Sequence, residues 1–240
     1  MTFILPGLLF AGEDKVPVKY DIWEYKVVGN TLIGADEIQR TLYPHLGPNK
    51  TVENIDLARK SLEDLYRLKG YPSVIVSIPP QTVDQAVVEL KVTEGRVAHV
   101  KVTGARYFSL ANVKDSLPVL STGSIPYLPA LKSQMASLNQ SAPDRFVSPV
   151  MRPGKAPGSI DVELKVKDSL PFHGYAELNN KYSRGTSPLR AEVSLSYDNL
   201  WQKAHSLSFM FQTAPENVEE VKVFSTNYLM RRKSSRALTA

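Results

Sequence analysis

Residues 88–105 read Val88-Glu-Leu-Lys-Val-Thr-Glu-Gly-Arg-Val-Ala-His-Val-Lys-Val-Thr-Gly-Ala105, and both halves of this stretch occur twice. The pentapeptide V-E-L-K-V at Val88–Val92 returns unchanged at Val162–Val166. The second half, Val100-Lys-Val-Thr-Gly-Ala105, echoes Tyr25-Lys-Val-Val-Gly-Asn30 at almost the same offset. One copy of a unit therefore ends here and the next begins. A fixed internal period sets the fold reading before any single element does. It predicts two tandem modules, residues 20–95 and 96–168, followed by something else.

The first module opens with a β-rich run, Ile22–Val28, closed by Gly29-Asn30. A short helix over 35–43 follows, with Ile38 and Leu42 one turn apart on its apolar side and Pro44 stopping it. Thr51 caps a second helix, acidic early and basic late, which complements the helix dipole. Ile55, Ala58, Leu62, Leu65 and Lys69 fall on one stripe, with Tyr66 and Leu68 on the flanks. Strands over 73–78 and 86–92 complete a β-α-α-β-β order. The second module repeats it. Leu110, Val113 and Leu117 are expected to face inward from a helix capped by Ser109, and Leu128, Leu131, Met135 and Leu138 from the next. Val113 and Leu117 follow Ile38 and Leu42 at the offset of Val100 from Tyr25, so the repeat reaches into the packing positions.

After Asp168 the pattern changes. Segments 172–182, 190–198 and 205–213 alternate with period two, and 221–230 alternates more weakly. Two readings fit: the lipid-facing strands of a transmembrane barrel, or a water-soluble meander that lays its apolar side on the helical modules.

The composition is that of a folded protein: 42% of residues are hydrophobic and 22% charged, with a formal charge of +5. That excess is gathered only in the last ten residues and does not point to nucleic acid. With no cysteine, disulfides and thiolate chemistry are excluded. The four histidines, His45, His99, His173 and His205, are widely separated along the chain and match no metal-ligand spacing. No phosphate-binding or nucleophile motif is present, so neither a cofactor nor a small-molecule substrate is expected. Residues 1–19 form an N-terminal tail, apolar over Met1–Gly12, that reads either as the remnant of a signal peptide or as a plain hydrophobic tail, and 231–240 form a basic tail.

The twice-repeated β-α-α-β-β order, the strand-ending Gly29 and Gly104, and Leu68-Lys-Gly-Tyr71 resemble tandem POTRA domains, the polypeptide-transport-associated modules of outer-membrane transporters. Phe172-His-Gly-Tyr-Ala-Glu-Leu-Asn-Asn-Lys-Tyr-Ser183, followed by Gly185–Arg190, is similar to the opening barrel strands of two-partner secretion transporters, the haemolysin-activation and filamentous-haemagglutinin exporter branch. The resemblance implies an α+β fold of tandem POTRA domains followed by antiparallel strands from the start of a transmembrane β-barrel. It implies a place in the outer membrane with the modules in the periplasm, and no enzymatic activity. The partner it implies is an unfolded secreted exoprotein, with outer-membrane lipid a second partner if the barrel is complete. Three or four strands do not close a barrel, so the chain reads as a fragment or truncated product. A barrel-assembly insertase and a soluble adaptor for folded partners are the alternatives.

An edge strand offers unpaired N–H and C=O groups to an extended chain. The candidate edges are Ser73, Val74, Ile75, Val76, Ser77 and Ile78 in the first module, and Arg145, Phe146, Val147 and Ser148 in the second. Prolines 79, 80, 149 and 153 are expected to end these strands, which fits exposed edges. The rival reading is that they block edge-to-edge aggregation.

Overall fold

The structure, a computed structural model, describes residues 18–82 and 85–230. They divide into two units: residues 18–69 and 74–94, and residues 70–73 and 95–230. The expected leader remnant and the basic tail fall almost wholly in residues 1–17 and 231–240, outside the described part. Among the described residues no helix is long and apolar enough to cross a membrane.

The first unit runs β1 (Tyr20–Ile22), β2 (Glu24–Val28), α1 (Ala35–Leu42), β3 (Gly47–Lys50), α2 (Val52–Leu68), β4 (Val74–Ser77) and β5 (Val87–Glu94). Its three-stranded sheet has the order β2-β5-β4, with β2 parallel and β4 antiparallel to the central β5. The expected single strand over 22–28 is broken at Trp23. β1 leaves the sheet to pair with β3, a Gly-Pro-Asn-Lys segment with no strand signature of its own. The order is thus β-β-α-β-α-β-β, not β-α-α-β-β. Ile38 and Leu42 on α1 and Ile55, Ala58 and Leu62 on α2 fill the core as their spacing predicts. Tyr66, not Leu65, completes the α2 stripe, and Leu68 is 86% exposed. Tyr66 continues the i, i+4 row from Ala58 and Leu62, and its hydroxyl donates to Asn30 Oδ1 at 2.6 Å, so the ring is buried without orphaning its polar tip.

The second unit contains β6 (Arg96–Thr103), α3 (Leu110–Asp115), α4 (Leu128–Gln140), β7 (Arg145–Pro153) and β8 (Ser159–Asp168). Here the β-α-α-β-β order is present as expected, and the sheet order β6-β8-β7 reproduces β2-β5-β4, again with one parallel and one antiparallel pair. Val113, Leu117, Leu131 and Leu138 are buried against Val147, Val162, Leu164 and Val166. Leu110 does not face inward; it is exposed, and Phe108 fills the core from the loop before the helix. The two halves of the repeated sequence meet in each sheet. Lys26-Val27-Val28 runs beside Glu89-Leu90-Lys91, and Lys101-Val102-Thr103 beside Glu163-Leu164-Lys165.

Four more strands follow: β9 (Phe172–Asn179), β10 (Arg190–Leu200), β11 (His205–Thr213) and β12 (Lys222–Leu229), in one antiparallel sheet of order β12-β11-β10-β9. The register aligns Gly174, Leu195, Phe209 and Thr226 in one row and Ala176, Val193, Phe211 and Phe224 in the next. The intervening rows hold His173, Ser196, Ser208 and Asn227, then Tyr175, Ser194, Met210 and Ser225. One face is apolar across all four strands and the other mostly polar. The register also settles the weak fourth segment, whose Phe224, Thr226 and Tyr228 join the apolar face. Phe172, Leu178, Val193, Leu195, Phe209 and Phe224 all lie exposed. A soluble meander would have laid this face on the helices. Its exposure is the pattern of a barrel wall, with hydrocarbon on the apolar side.

Candidate docking edges

In both module sheets the strand after the second helix sits at an edge: β4 in the first, β7 in the second. Residues of an antiparallel edge strand alternate, one pointing its N–H and C=O into the ladder and the next pointing both outward. Which residues point outward decides what an incoming chain would meet.

On β4 the Ser73 carbonyl accepts from Gly95 N–H at 3.2 Å, so Ser73 faces the ladder. Val74 and Val76 therefore face out, with Ile75 and Ser77 facing β5. The Val76 carbonyl receives one long bond, from Arg59 Nη1 at 3.4 Å. That guanidinium is mainly engaged with Asp56 and Glu63, at 2.7 and 2.8 Å, and these carboxylates hold its pKa above the ordinary arginine value. The Val74 and Val76 side chains are buried, which anchors the strand, while Ile75 is 59% exposed on its outer face. Ser73 and Ile78 flank the strand without belonging to it.

On β7 the parity is fixed by Val147. Its N–H donates to Asn139 Oδ1 at 2.9 Å and its carbonyl accepts from Asn139 Nδ2 at 3.1 Å, so Val147 faces out and is already paired. Further along the same outward row stand Pro149 and Pro153, which have no N–H. Pro153 is the last residue of β7, as expected, but Pro149 does not end the strand. The ladder asks for no donor at outward positions, so β7 runs through Pro149. Arg145 is buried, its Nη2 donating to Leu138 O at 2.7 Å and Ser141 Oγ at 2.9 Å, which caps the end of α4. Burial pushes its pKa down, and the nearby Asp168 partly opposes this. Phe146 is 58% exposed and Ser148 half-buried. Of the two candidate edges, Val74–Ser77 is the less occupied: among the described residues its outward row receives the Arg59 bond alone, although Val74 and Val76 are only 1% and 2% exposed as whole residues.

Two further polar clusters were not visible in the sequence. The Asp168 carboxylate accepts from the backbone N–H groups of Arg106, Tyr107 and Phe108 at 2.9, 2.8 and 3.1 Å. At the equivalent place in the first module, Glu94 accepts from Thr31 N–H at 2.6 Å and Thr31 Oγ1 at 2.7 Å. An acid ending the central strand thus pins the loop after the first strand in both copies. That loop of the second module also receives the β10–β11 turn: Asn199 Nδ2 and Gln202 Nε2 donate to Tyr107 O at 3.1 and 2.9 Å, and Ser109 N–H donates to Gln202 Oε1 at 2.8 Å. Beside it His173 Nε2 lies 2.9 Å from Asp144 and 3.5 Å from Asp198, residues whose sequence separation hid the grouping. These contacts join the second module to the barrel strands within one unit.

Comparison with known proteins agrees with this architecture. Residues 20–95 match the family described as "POTRA domain, ShlB-type". Over 147 residues the chain is 28% identical to the outer membrane transporter CdiB-2 of Burkholderia pseudomallei, covering 61% of this chain and 24% of that protein. It is 19% identical over 194 residues to the heme/hemopexin transporter protein HuxB of Haemophilus influenzae, covering 80% and 34%. The fold of CdiB from Escherichia coli superposes with a TM-score of 0.69 at 19% identity, over 94% of this chain and 40% of that one. CdiB from Acinetobacter baumannii gives 0.55 at 15% identity, over 83% and 39%. The chain spans about a quarter to a third of the length of the curated relatives it matches.

Proposed function

We propose that this chain, which carries a ShlB-type POTRA domain and is related over most of its length to outer-membrane transporters of two-partner secretion, is the periplasmic receiving part and first barrel wall of such a transporter. In this reading it works in the outer membrane, catalyses no reaction, and passes an unfolded secreted exoprotein from periplasm to cell exterior. The exoprotein adds a strand to β4, along Ser73–Ile78. The observation that supports this most is the row of outward Val74 and Val76 backbone groups, met among the described residues only by a long Arg59 bond. Each backbone hydrogen bond nets only about 1 kcal/mol, so a short added strand binds loosely enough to be released. That suits transit. A soluble adaptor is disfavoured by the exposed apolar face of β9–β12.

The test is binding of the N-terminal segment of a secreted protein encoded beside this gene, with the full chain held in detergent. Val76→Pro removes an outward N–H and no ladder bond. It is expected to weaken binding about fivefold or more, the equivalent of about 1 kcal/mol, while the circular-dichroism spectrum is preserved. Unchanged affinity in a folded variant would remove β4 as the docking edge.

A further inference from the structure

The two module edges are built from the same repeat, yet among the described residues one is met by a single long Arg59 bond and the other is filled at two points from within the chain. A primary amide carries one carbonyl acceptor and N–H donors, the same complement as a peptide group. Asn139, on the last turn of α4, sets both against Val147, meeting its N–H at 2.9 Å and its carbonyl at 3.1 Å. This is the two-point pairing that a neighbouring strand would make. The next outward position is Pro149, and Pro153 follows on the same row, so beyond Val147 only Met151 can present an outward N–H along β7. Counted from the C-caps Lys69 and Ser141, the residue of the first module equivalent to Asn139 is Arg67. Its guanidinium has donors only, and it is exposed and paired with Glu63 and Asp64. That position supplies no carboxamide to β4.

We infer that Asn139 is a resident strand mimic which, with Pro149 and Pro153, seals the second module's sheet edge, so that extended polypeptide is received at β4 and refused at β7. Asn139 is thereby a specificity-determining residue. The inference deepens the proposed docking at β4 and rests on that reading for its functional meaning. The seal itself is a property of β7 alone. Sealing has a physical use: two open edges on one chain would let a single unfolded polypeptide bridge them and stall, and would invite edge-to-edge association between copies.

The experiment uses the full chain in detergent, carrying a photo-reactive benzoylphenylalanine in place of either Ile75 or Phe146, the exposed side chains of the two edges. The probe is reduced, carboxymethylated lactalbumin, a permanently unfolded polypeptide. In the parent protein, crosslinking is expected at position 75 and to be weak at 146. The pair Asn139→Ala with Pro149→Val frees two outward positions and is expected to raise crosslinking at 146 about fivefold or more. Asn139→Asp keeps an acceptor for Val147 N–H but sets a carboxylate oxygen against Val147 O. It should move labelling the same way with the least disturbance to α4. Equal labelling at 146 in parent and variants, or parent labelling at 146 matching that at 75, overturns the seal. Labelling that rises at 146 in the variants while 75 stays dark in every protein upholds the seal and removes β4 as the receiving edge instead.

Discussion

Gly29 and Gly104 occupy the same place in the two modules, and the reason is steric. Both have φ +86°, and a Cβ would lie 2.4 Å from Val92 O in the first and 2.3 Å from Val166 O in the second. Each glycine thus lets the end of the first strand press against the last residue of its V-E-L-K-V pentapeptide. Gly104→Ala must both adopt a left-handed backbone and push away a carbonyl. It should cost on the order of 1–3 kcal/mol by urea denaturation, with Gly29→Ala matching it in the first module. Leu62→Ala leaves a cavity at a fully buried site and should cost roughly 2–5 kcal/mol. Tyr66 tests burial differently. Burial, aided by the Glu94 charge, pushes its hydroxyl up to about 12. Above pH 10 the unfolded chain releases this proton and the folded one keeps it, so the stability it contributes is complete below pH 10 and is lost between 10 and about 12. Tyr25, also pushed up to about 12 by burial, acts in the same direction. Alkaline titration of the melting temperature should therefore fall less steeply in Tyr66→Phe. Glycine roles and the Ile38/Leu42 and Val113/Leu117 pairs were legible because sequence spacing alone specifies them. Tyr66 displaced Leu65 because its hydroxyl finds Asn30, a distant contact that no periodicity encodes.

Among the elements, strands that carry the repeat were predicted to within a residue or two, whereas β1 and β3 were not. Gly47-Pro-Asn-Lys50 has no strand propensity, and it is held extended by pairing with Tyr20–Ile22 and by Asn49 N–H on Asp21 at 2.9 Å. The edge positions of β4 and β7 followed from the module order, but the difference between them did not. Pro149 looked like a strand end because the outward parity it shares with Val147, which makes it harmless inside a strand, shows only in the pairing with β8 and with an asparagine from another element. The acid at the end of each central strand was equally silent in the sequence, since Glu94 and Asp168 stand among many exposed acids. Asp168→Ala should orphan three backbone N–H groups and cost about 2 kcal/mol or more. Hydrogen exchange at Arg106, Tyr107 and Phe108 should accelerate, and at Ser109, which the β10–β11 turn holds through Gln202, with them.

For the whole molecule, period-two alternation left barrel and meander open, and only the register across four strands shows one apolar face lying exposed. Charge on that face should be costly in lipid and harmless on the other. Val193→Arg is expected to destabilise the sheet in bilayers by about 2–4 kcal/mol, whereas the neighbouring Ser194→Arg should fall well below that. Equal penalties for both would contradict a lipid-facing sheet. Docking at the β4 edge is open to a direct test. Amide exchange read by NMR on the full chain in detergent, with and without unfolded polypeptide, addresses it most directly. Val74 and Val76 are expected to gain protection on binding while Val147, already paired with Asn139, stays unchanged. Binding that leaves Val74 and Val76 exchanging as before, or that protects β7 instead, would contradict it.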